Sequence, residues 1–166
     1  AGNTWGRTRM DSVDNLGDGK RSSPSVSFDA SGKVYVAYSF VNNAGTSRSV
    51  VVARSLDRGA TFLTGDVMLI DTQVGAFTQE DVRVVTGGNP ADPSVVVGWT
   101  RLNNGVASSV QVRGTLASAY SFGGTGIVTA TGQPRLGDMS FGINSNELFA
   151  TWTDYSTSPE RIFVAG

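Results

Sequence analysis

Short runs in which hydrophobic and polar residues alternate recur along the whole chain, and they predict β-strands. No segment keeps the 3.6-residue period of an amphipathic helix over ten residues. Turn-forming residues separate the runs, as in the pair Ser31-Gly32 and the stretch from Asn42 to Gly45. The predicted strands are 25–28, 33–39, 48–54, 67–70, 82–85, 94–99, 109–113, 139–141, 147–152 and 161–165. The pattern therefore predicts an all-β fold.

One of these strands recurs at a regular spacing. The segments 34–38, 95–99 and 148–152 are apolar strands that end on Tyr38, Trp99 and Trp152. Tyr38 and Trp99 are 61 residues apart, and Trp99 and Trp152 are 53 apart. A unit of about four strands in roughly 50 to 60 residues has the size of one β-propeller blade. At such repeated positions the aromatic side chains are expected to pack between neighbouring units.

Composition narrows the possible functions. The chain has 166 residues and a net charge of −1, with no basic excess to hold a nucleic-acid backbone. No apolar run reaches the length of a membrane span. Cysteine and histidine are both absent, which rules out disulfides, thiolate metal sites and a Ser-His-Asp triad within this sequence. Acid–base chemistry would have to use carboxylates, tyrosine or lysine.

A motif after the third strand of the first unit resembles the Asp box of sialidases and other BNR-repeat propellers. The matching positions are Ser55, Asp57, Gly59, Thr61 and Phe62. In such a turn the aspartate accepts backbone hydrogen bonds, the glycine takes a positive φ, and the hydroxyl groups bond across the turn. The resemblance implies a propeller whose Asp box is structural and faces away from the ligand site.

The same motif recurs in weaker form. Residues 115–122 keep a hydroxyl at the start and Ser-Phe at the end, but alanines replace the Asp and the Gly. Residues 2–5, Gly-Asn-Thr-Trp, match the second half of a box. This phasing predicts the end of a preceding blade at 1–20, blades at 21–78 and 79–132, and a partial blade at 133–166. We expect a propeller fragment of about three four-stranded antiparallel blades, which needs further blades or a second copy to close a ring of roughly six.

The resemblance places ligand contacts on the rim opposite the Asp box, where the inner strands begin and the second strands end. The candidate ligand-binding residues there are Arg21, Asp81, Arg83, Arg101, Arg135, Asp138 and Asp154. Arginine suits this place because its planar guanidinium binds a carboxylate through two hydrogen bonds. The Arg-Ile-Pro motif of sialidases is missing, since Arg161-Ile162 continues to Phe163. The sequence therefore assigns no catalytic residue and leaves enzymatic activity open.

Three functions fit these observations. The first is a secreted or cell-surface module that binds glycans or another protein, or serves as a scaffold. The second is part of a sialidase-like glycoside hydrolase, and the third is an assembly subunit joined through its sheet edges. No cofactor or metal is required by any of them. The loop from Asp14 to Gly19 is rich in oxygen ligands and would allow calcium at Asp14 and Asp18, although ordinary turn chemistry explains it as well.

Overall fold

The structure is a computed structural model that describes residues 7–142 and 147–166. Eleven strands account for most of these residues, together with two short 3₁₀ turns at Met10–Ser12 and Thr64–Asp66. The strands are β1 Gly19–Phe28, β2 Val34–Asn42, β3 Ser47–Ser55, β4 Val67–Val74, β5 Phe77–Gly87, β6 Ser94–Asn103, β7 Val106–Leu116, β8 Gly126–Thr129, β9 Pro134–Phe141, β10 Leu148–Asp154 and β11 Arg161–Ala165. The all-β prediction is confirmed, and no helix in the described residues could cross a membrane.

The strands form three antiparallel sheets, each a simple up-and-down meander. Sheet 1 contains β1 to β4, sheet 2 contains β5 to β8, and sheet 3 contains β9 to β11. The sheets thus span 19–74, 77–129 and 134–165, where the sequence repeat placed units at 21–78, 79–132 and 133–166. The half box at 2–5 lies outside the described residues.

The first strands of the sheets lie side by side. The Ser25 hydroxyl on β1 accepts a hydrogen bond from the backbone N–H of Val84 on β5 at 3.1 Å. Thr86 on β5 donates to the carbonyl of Phe28 at 2.6 Å. Arg83 on β5 donates from Nε to the carbonyl of Gly137 on β9 at 3.0 Å. Because β1 and β9 both pack on β5, the three sheets form a row in which each sheet lies against the next.

Each first strand carries a β-bulge at the same place in its sheet. The register shifts between Ser22 and Ser25 in β1 and between Glu80 and Arg83 in β5. In sheet 3 the shift lies between Thr151 and Trp152 of β10, opposite β9. In all three sheets the bulge adjoins the aromatic residue that ends the repeated strand, so the bulges allow positions to be matched from sheet to sheet.

Two apolar cores separate the three sheets. Between sheets 1 and 2, Tyr35, Val50 and Val52 pack against Val97 and Trp99, all of them completely buried. A second core between sheets 2 and 3 contains Val110, Leu136, Met139 and Ala150, with Trp152 packed against it. The prediction that the repeated aromatic residues pack between units is confirmed for Trp99 and Trp152. Tyr38 instead lies on the face of sheet 1 away from sheet 2.

A third cluster covers part of sheet 1 on the side away from sheet 2. Tyr38, Phe40 and Val51 are buried there beneath Met10 and Leu16 of the segment that precedes β1. This segment crosses the sheet at the end where β1 begins. It leaves the other end of the same face exposed, where Val26 and Phe28 lie.

Candidate binding rim

The turn that carries the pattern similar to an Asp box joins β3 to β4 and is held by its own side chains. Ser55 Oγ donates to Asp57 Oδ1 at 2.7 Å and accepts the backbone N–H of Gly59 at 2.9 Å. Thr61 donates to Asp57 from its backbone N–H at 2.8 Å and from its hydroxyl at 2.6 Å. Gly59 has a φ of +84°, as the motif predicts. These hydrogen bonds from Thr61 and Ser55 lower the pKa of Asp57 to about 2.

Every polar side chain of the box is therefore used within the turn, which supports the structural role assigned to it. Phe62, the last position of the motif, is half-buried. The turn lies at the end of sheet 1 where β3 ends and β4 begins. The opposite end of the sheets, where β5 begins and β6 ends, is the rim on which the sequence placed the ligand-binding candidates.

The turn of sheet 2 at the place of the weaker box has different contacts and a different backbone, with a positive φ at Tyr120 in place of the two at Arg58 and Gly59. Thr115 Oγ1 accepts the backbone N–H of Ser121 at 2.9 Å. Asp92, from the loop between β5 and β6, accepts the backbone N–H of Ser118 at 3.0 Å and its hydroxyl at 2.7 Å. Tyr120 is buried against sheet 1, where its ring lies 3.9 Å from the guanidinium carbon of Arg54. A carboxylate from another loop thus holds a turn that lacks its own aspartate.

Arg21 does not join the other rim arginines. Its guanidinium donates to both oxygens of Asp14, each at 2.8 Å, and Tyr38 donates its hydroxyl to Asp14 Oδ2 at 2.6 Å. The Asp14 carboxylate is completely buried. Burial alone would raise the pKa of Asp14, but the hydrogen bonds from Arg21, Tyr38 and the Leu16 N–H lower it on balance.

This pairing favours the turn interpretation of the loop around Asp14 and Asp18 over calcium binding. Both oxygens of Asp14 already accept hydrogen bonds within the protein. Among the residues that the structure describes, no three acidic side chains lie close enough to hold a metal ion. Asp14 is therefore a structural residue that fastens the segment before β1 to sheet 1.

Four charged side chains meet where β5 packs on β9. Arg135 donates to Glu80 at 2.8 Å and to Asp81 at 3.3 Å. Arg83 lies on the same bulge and donates to the backbone carbonyls of Val82 and Gly137. The bulge explains the grouping, since Asp81 has a φ of +51° that turns it out of the regular pleat. The structure thus brings together three of the candidates and one residue, Glu80, that lay outside the predicted set.

The last two candidates on sheet 3 lie apart from this group. Asp154 accepts the backbone N–H of Gln133 just before β9 and that of Ser156 in the turn after β10, and these hydrogen bonds lower the pKa of Asp154. Asp138 is exposed and accepts the backbone N–H of Met139. Both serve local backbone hydrogen bonding.

A different group of polar side chains surrounds Arg101 between sheets 1 and 2. We call it the Arg101 cluster, and its members are Asp71, Gln73, Phe77, Gln79, Arg101 and Arg113. Gln79 and Arg101 are direct partners across β5 and β6. Both therefore point to the same face of sheet 2, towards the end of β4.

Hydrogen bonds within the Arg101 cluster leave two buried groups without a partner. Asp71 is buried and accepts Gln73 at 3.0 Å and Gln79 at 2.9 Å. Gln79 is only 4% exposed, yet its Oε1 has no partner within the protein. Arg101 Nε is also buried and unpaired. Another nitrogen of the same guanidinium, Nη2, donates to Gln73 Oε1 at 3.4 Å.

The charge of the Arg101 cluster is unbalanced. Arg113 donates to the carbonyl of Ile70 and lies 3.9 Å from Asp71. Arg101 stacks on Phe77 with its guanidinium carbon 4.0 Å from the ring centre. The described residues offer Arg101 no carboxylate at ion-pair distance. The cluster thus contains two guanidinium groups and one carboxylate, and its unpaired acceptor and unpaired donor belong to cross-strand partners.

Sequence reasoning predicted only Arg101 among these residues. Gln79 could have been found, because it lies opposite Arg101 once the two strands are aligned. The contribution of Asp71 depends on how two sheets pack, which no local pattern encodes. No family model matches the chain, and no curated protein matches it.

Proposed function

We propose that this chain is a set of Asp-box propeller blades from an exported protein, secreted or displayed at the cell surface, that binds a glycan or another protein. The Arg101 cluster is the binding site in this proposal. Support for the propeller comes from the hydrogen-bonded Asp-box turn between the third and fourth strands of sheet 1. The side-by-side first strands of the three sheets give further support, because the inner strands of propeller blades line a common axis.

The observation that carries the binding function is the pair of unpaired buried groups, Gln79 Oε1 and Arg101 Nε. A buried polar group without a partner costs about 1–3 kcal/mol, and two of the four such side-chain atoms in the described residues belong to this cluster. A hydroxyl group brought into the cluster can donate to an amide oxygen or accept from a guanidinium. Glycans present many such hydroxyl groups, and a protein partner could supply a serine, threonine or tyrosine.

The test is binding of the intact chain to a panel of immobilised glycans, with Arg101→Ala as the variant. We expect a loss of at least about tenfold in affinity, because the removed guanidinium supplies a charge-assisted hydrogen bond. Arg161→Ala is the matched control, since Arg161 is exposed on β11 at the far end of the row of sheets. Unchanged affinity in Arg101→Ala, with glycan binding intact, would remove the Arg101 cluster from the proposal.

A sialidase-like glycoside hydrolase remains the second candidate, because Arg135, Glu80 and Asp81 bring an arginine and two carboxylates together on the rim. The binding function has better support. Both carboxylates are ion-paired with Arg135, and a glycosidase needs one carboxyl group with a raised pKa as its acid. Each carboxyl group of the described residues whose pKa is shifted has it lowered.

Hydrolysis of fluorogenic glycosides by the intact chain would decide for the second candidate. The variants Arg83→Ala and Asp138→Ala test whether the rim takes part in it. Activity that falls in both variants would favour the hydrolase, whereas an inactive chain that binds glycans would favour the binding module.

A further inference from the structure

The two outer faces of the row of sheets are apolar and exposed. On sheet 1, the face away from sheet 2 carries Val26 and Phe28, which are 66% and 74% exposed. On sheet 3, the face away from sheet 2 carries Phe149, Ile162 and Val164, of which the last two are 81% and 66% exposed. We call these surfaces end face 1 and end face 3. Contiguous exposed apolar patches are characteristic of interaction surfaces.

End face 3 is built from the positions that form the buried face of sheet 1. The bulges match Trp152 with Tyr38, so Phe149 corresponds to Tyr35. Ile162 pairs with Thr153, which corresponds to Ser39, and Ser39 pairs with Val50. Ile162 is thus the counterpart of Val50.

The same matching makes Val164 the counterpart of Val52, through its partner Thr151. Tyr35, Val50 and Val52 are all completely buried against sheet 2. End face 3 therefore exposes to solvent the counterparts of the residues through which sheet 1 packs against sheet 2.

End face 1 is built from the positions by which sheet 2 receives sheet 1. Val26 pairs with Val36, and Val36 is the counterpart of Val97 on β6. Because Val97 pairs with Val84, Val26 is the counterpart of Val84, which is buried in the core between the sheets. End face 3 and end face 1 therefore correspond to the two surfaces that pack against each other between sheets 1 and 2.

We propose that a second copy of this chain covers both end faces, with end face 3 of each copy packed on end face 1 of the other. Such a contact is heterologous, and it closes when the rotation between successive sheets completes a circle. Two copies of three sheets give a ring of six sheets. The number of six sheets rests on the proposed propeller fold. The proposal does not depend on which ligand binds at the Arg101 cluster.

The area of the contact favours a closed pair over open chains. With strands about 4.8 Å apart and about 3.3 Å per residue, the three-stranded face of sheet 3 covers roughly 300 Å². Two such contacts bury at most about 1,200 Å² in total from both copies, at the lower limit of stable interfaces, whereas one open contact buries about half of that. The segment with Met10 and Leu16 covers only the end of sheet 1 away from Val26 and Phe28, so end face 1 stays accessible.

The oligomeric state tests this directly, by analytical ultracentrifugation of the 166-residue chain from about 1 to 100 µM. We expect a monomer–dimer equilibrium without larger species. Val26→Asp and Val164→Asp alter opposite faces, and each should shift the equilibrium to monomer over the whole range. Ile127→Asp is the control, because Ile127 is equally exposed but lies on the edge strand of sheet 2, and it should leave the dimer unchanged.

The absence of native cysteine allows a second measurement that reports the pairing of faces. Under mild oxidation, Val26→Cys mixed with Val164→Cys should give a disulfide-linked heterodimer, while either variant alone should give none. A monomer at all concentrations would overturn the proposal, and so would disulfides formed by one variant alone or open-ended polymers. Each of these outcomes leaves the glycan-binding test of the Arg101 cluster unaffected, so the two proposals fail separately.

Discussion

The buried group of Asp14, Arg21 and Tyr38 gives the sharpest prediction for stability. Replacing Asp14 by Asn removes the negative charge and leaves the Arg21 guanidinium in a largely buried place. Breaking a buried ion pair costs about 3–5 kcal/mol, and we expect about 3 kcal/mol here because Arg21 retains the carbonyls of Gly17 and Gly19. For a chain of this size that loss lowers the melting temperature by roughly 6–12 °C.

Asp11→Asn is a matched control three residues away in the same segment. Asp11 forms an ion pair with Arg9 at 2.5 Å, but the Arg9 side chain is 82% exposed. Exposed ion pairs contribute little to stability, so this variant should unfold at the same denaturant concentration as the parent chain. Urea unfolding followed by tryptophan fluorescence measures both variants. Equal stability of the two variants would refute the role we give to Asp14.

A double-mutant cycle with Tyr38→Phe separates the hydrogen bond from the ion pair. Tyr38→Phe alone should cost about 1.5–3 kcal/mol, because the lost bond is made to a charged group. The double variant with Asp14→Asn should cost less than the sum of the two, since the hydroxyl loses its charged partner in the first step. Strict additivity would show that Tyr38 and Asp14 act independently.

The pH dependence has a defined sign. Since the folded state lowers the pKa of Asp14, its contribution is present above the ordinary aspartate pKa of about 3.9 and is lost as the pH falls through the lower folded value. The difference in stability between the parent chain and Asp14→Asn should therefore be constant near neutral pH and shrink in acid below about pH 4. A difference that grows in acid would contradict the assignment.

Three further outcomes are expected from changes elsewhere. Ser55→Ala should lower the free energy of unfolding by about 0.5–1.5 kcal/mol in a urea titration, because it removes the part-buried hydrogen bonds that Ser55 Oγ makes with Asp57 and with the Gly59 N–H. Asp57→Asn should be less stable than the parent chain at neutral pH, and this difference should vanish between about pH 4 and pH 2, since the folded pKa of Asp57 is about 2. Gly87→Ala should cost about 1–3 kcal/mol, because a Cβ at this position would overlap the inner side-chain carbons of Phe141 on sheet 3, whereas Gly65→Ala meets nothing within 4 Å and should be neutral. Equal effects in the two glycine variants would contradict the close packing of sheets 2 and 3.

The hydrophobic pattern was sufficient to predict most of the strands but not their full extent. Strand β1 begins at Gly19, six residues before the predicted start, because its polar first half is held by pairing with β2 and not by burial. Strand β8, Gly126–Thr129, was not predicted at all. It follows a glycine-rich stretch, and its exposed edge position imposes no alternation of polar and apolar residues.

The candidate site was predictable only where residues are neighbours within one sheet. The grouping of Asp81 with Arg135 needs the contact between β5 and β9, and the pairing of Arg21 with Asp14 needs a loop to fold back over sheet 1. Both depend on tertiary packing. The hydrogen bonds of the turn between β3 and β4 were predictable because Ser55 and Thr61 bond to Asp57 within a single turn, so that its chemistry is complete in a short stretch of sequence.

The contact between Asp92 and Ser118 has a consequence for how such repeats can diverge. Once a carboxylate from the adjacent loop anchors the turn, aspartate is no longer needed at position 117, nor glycine at position 119. The connection between the third and fourth strands can then persist in a sheet whose turn has lost the motif and changed its backbone angles. In this chain a count of intact motifs gives fewer units than the three sheets, and a charged loop residue that bonds to a turn without the motif marks a unit that such a count misses.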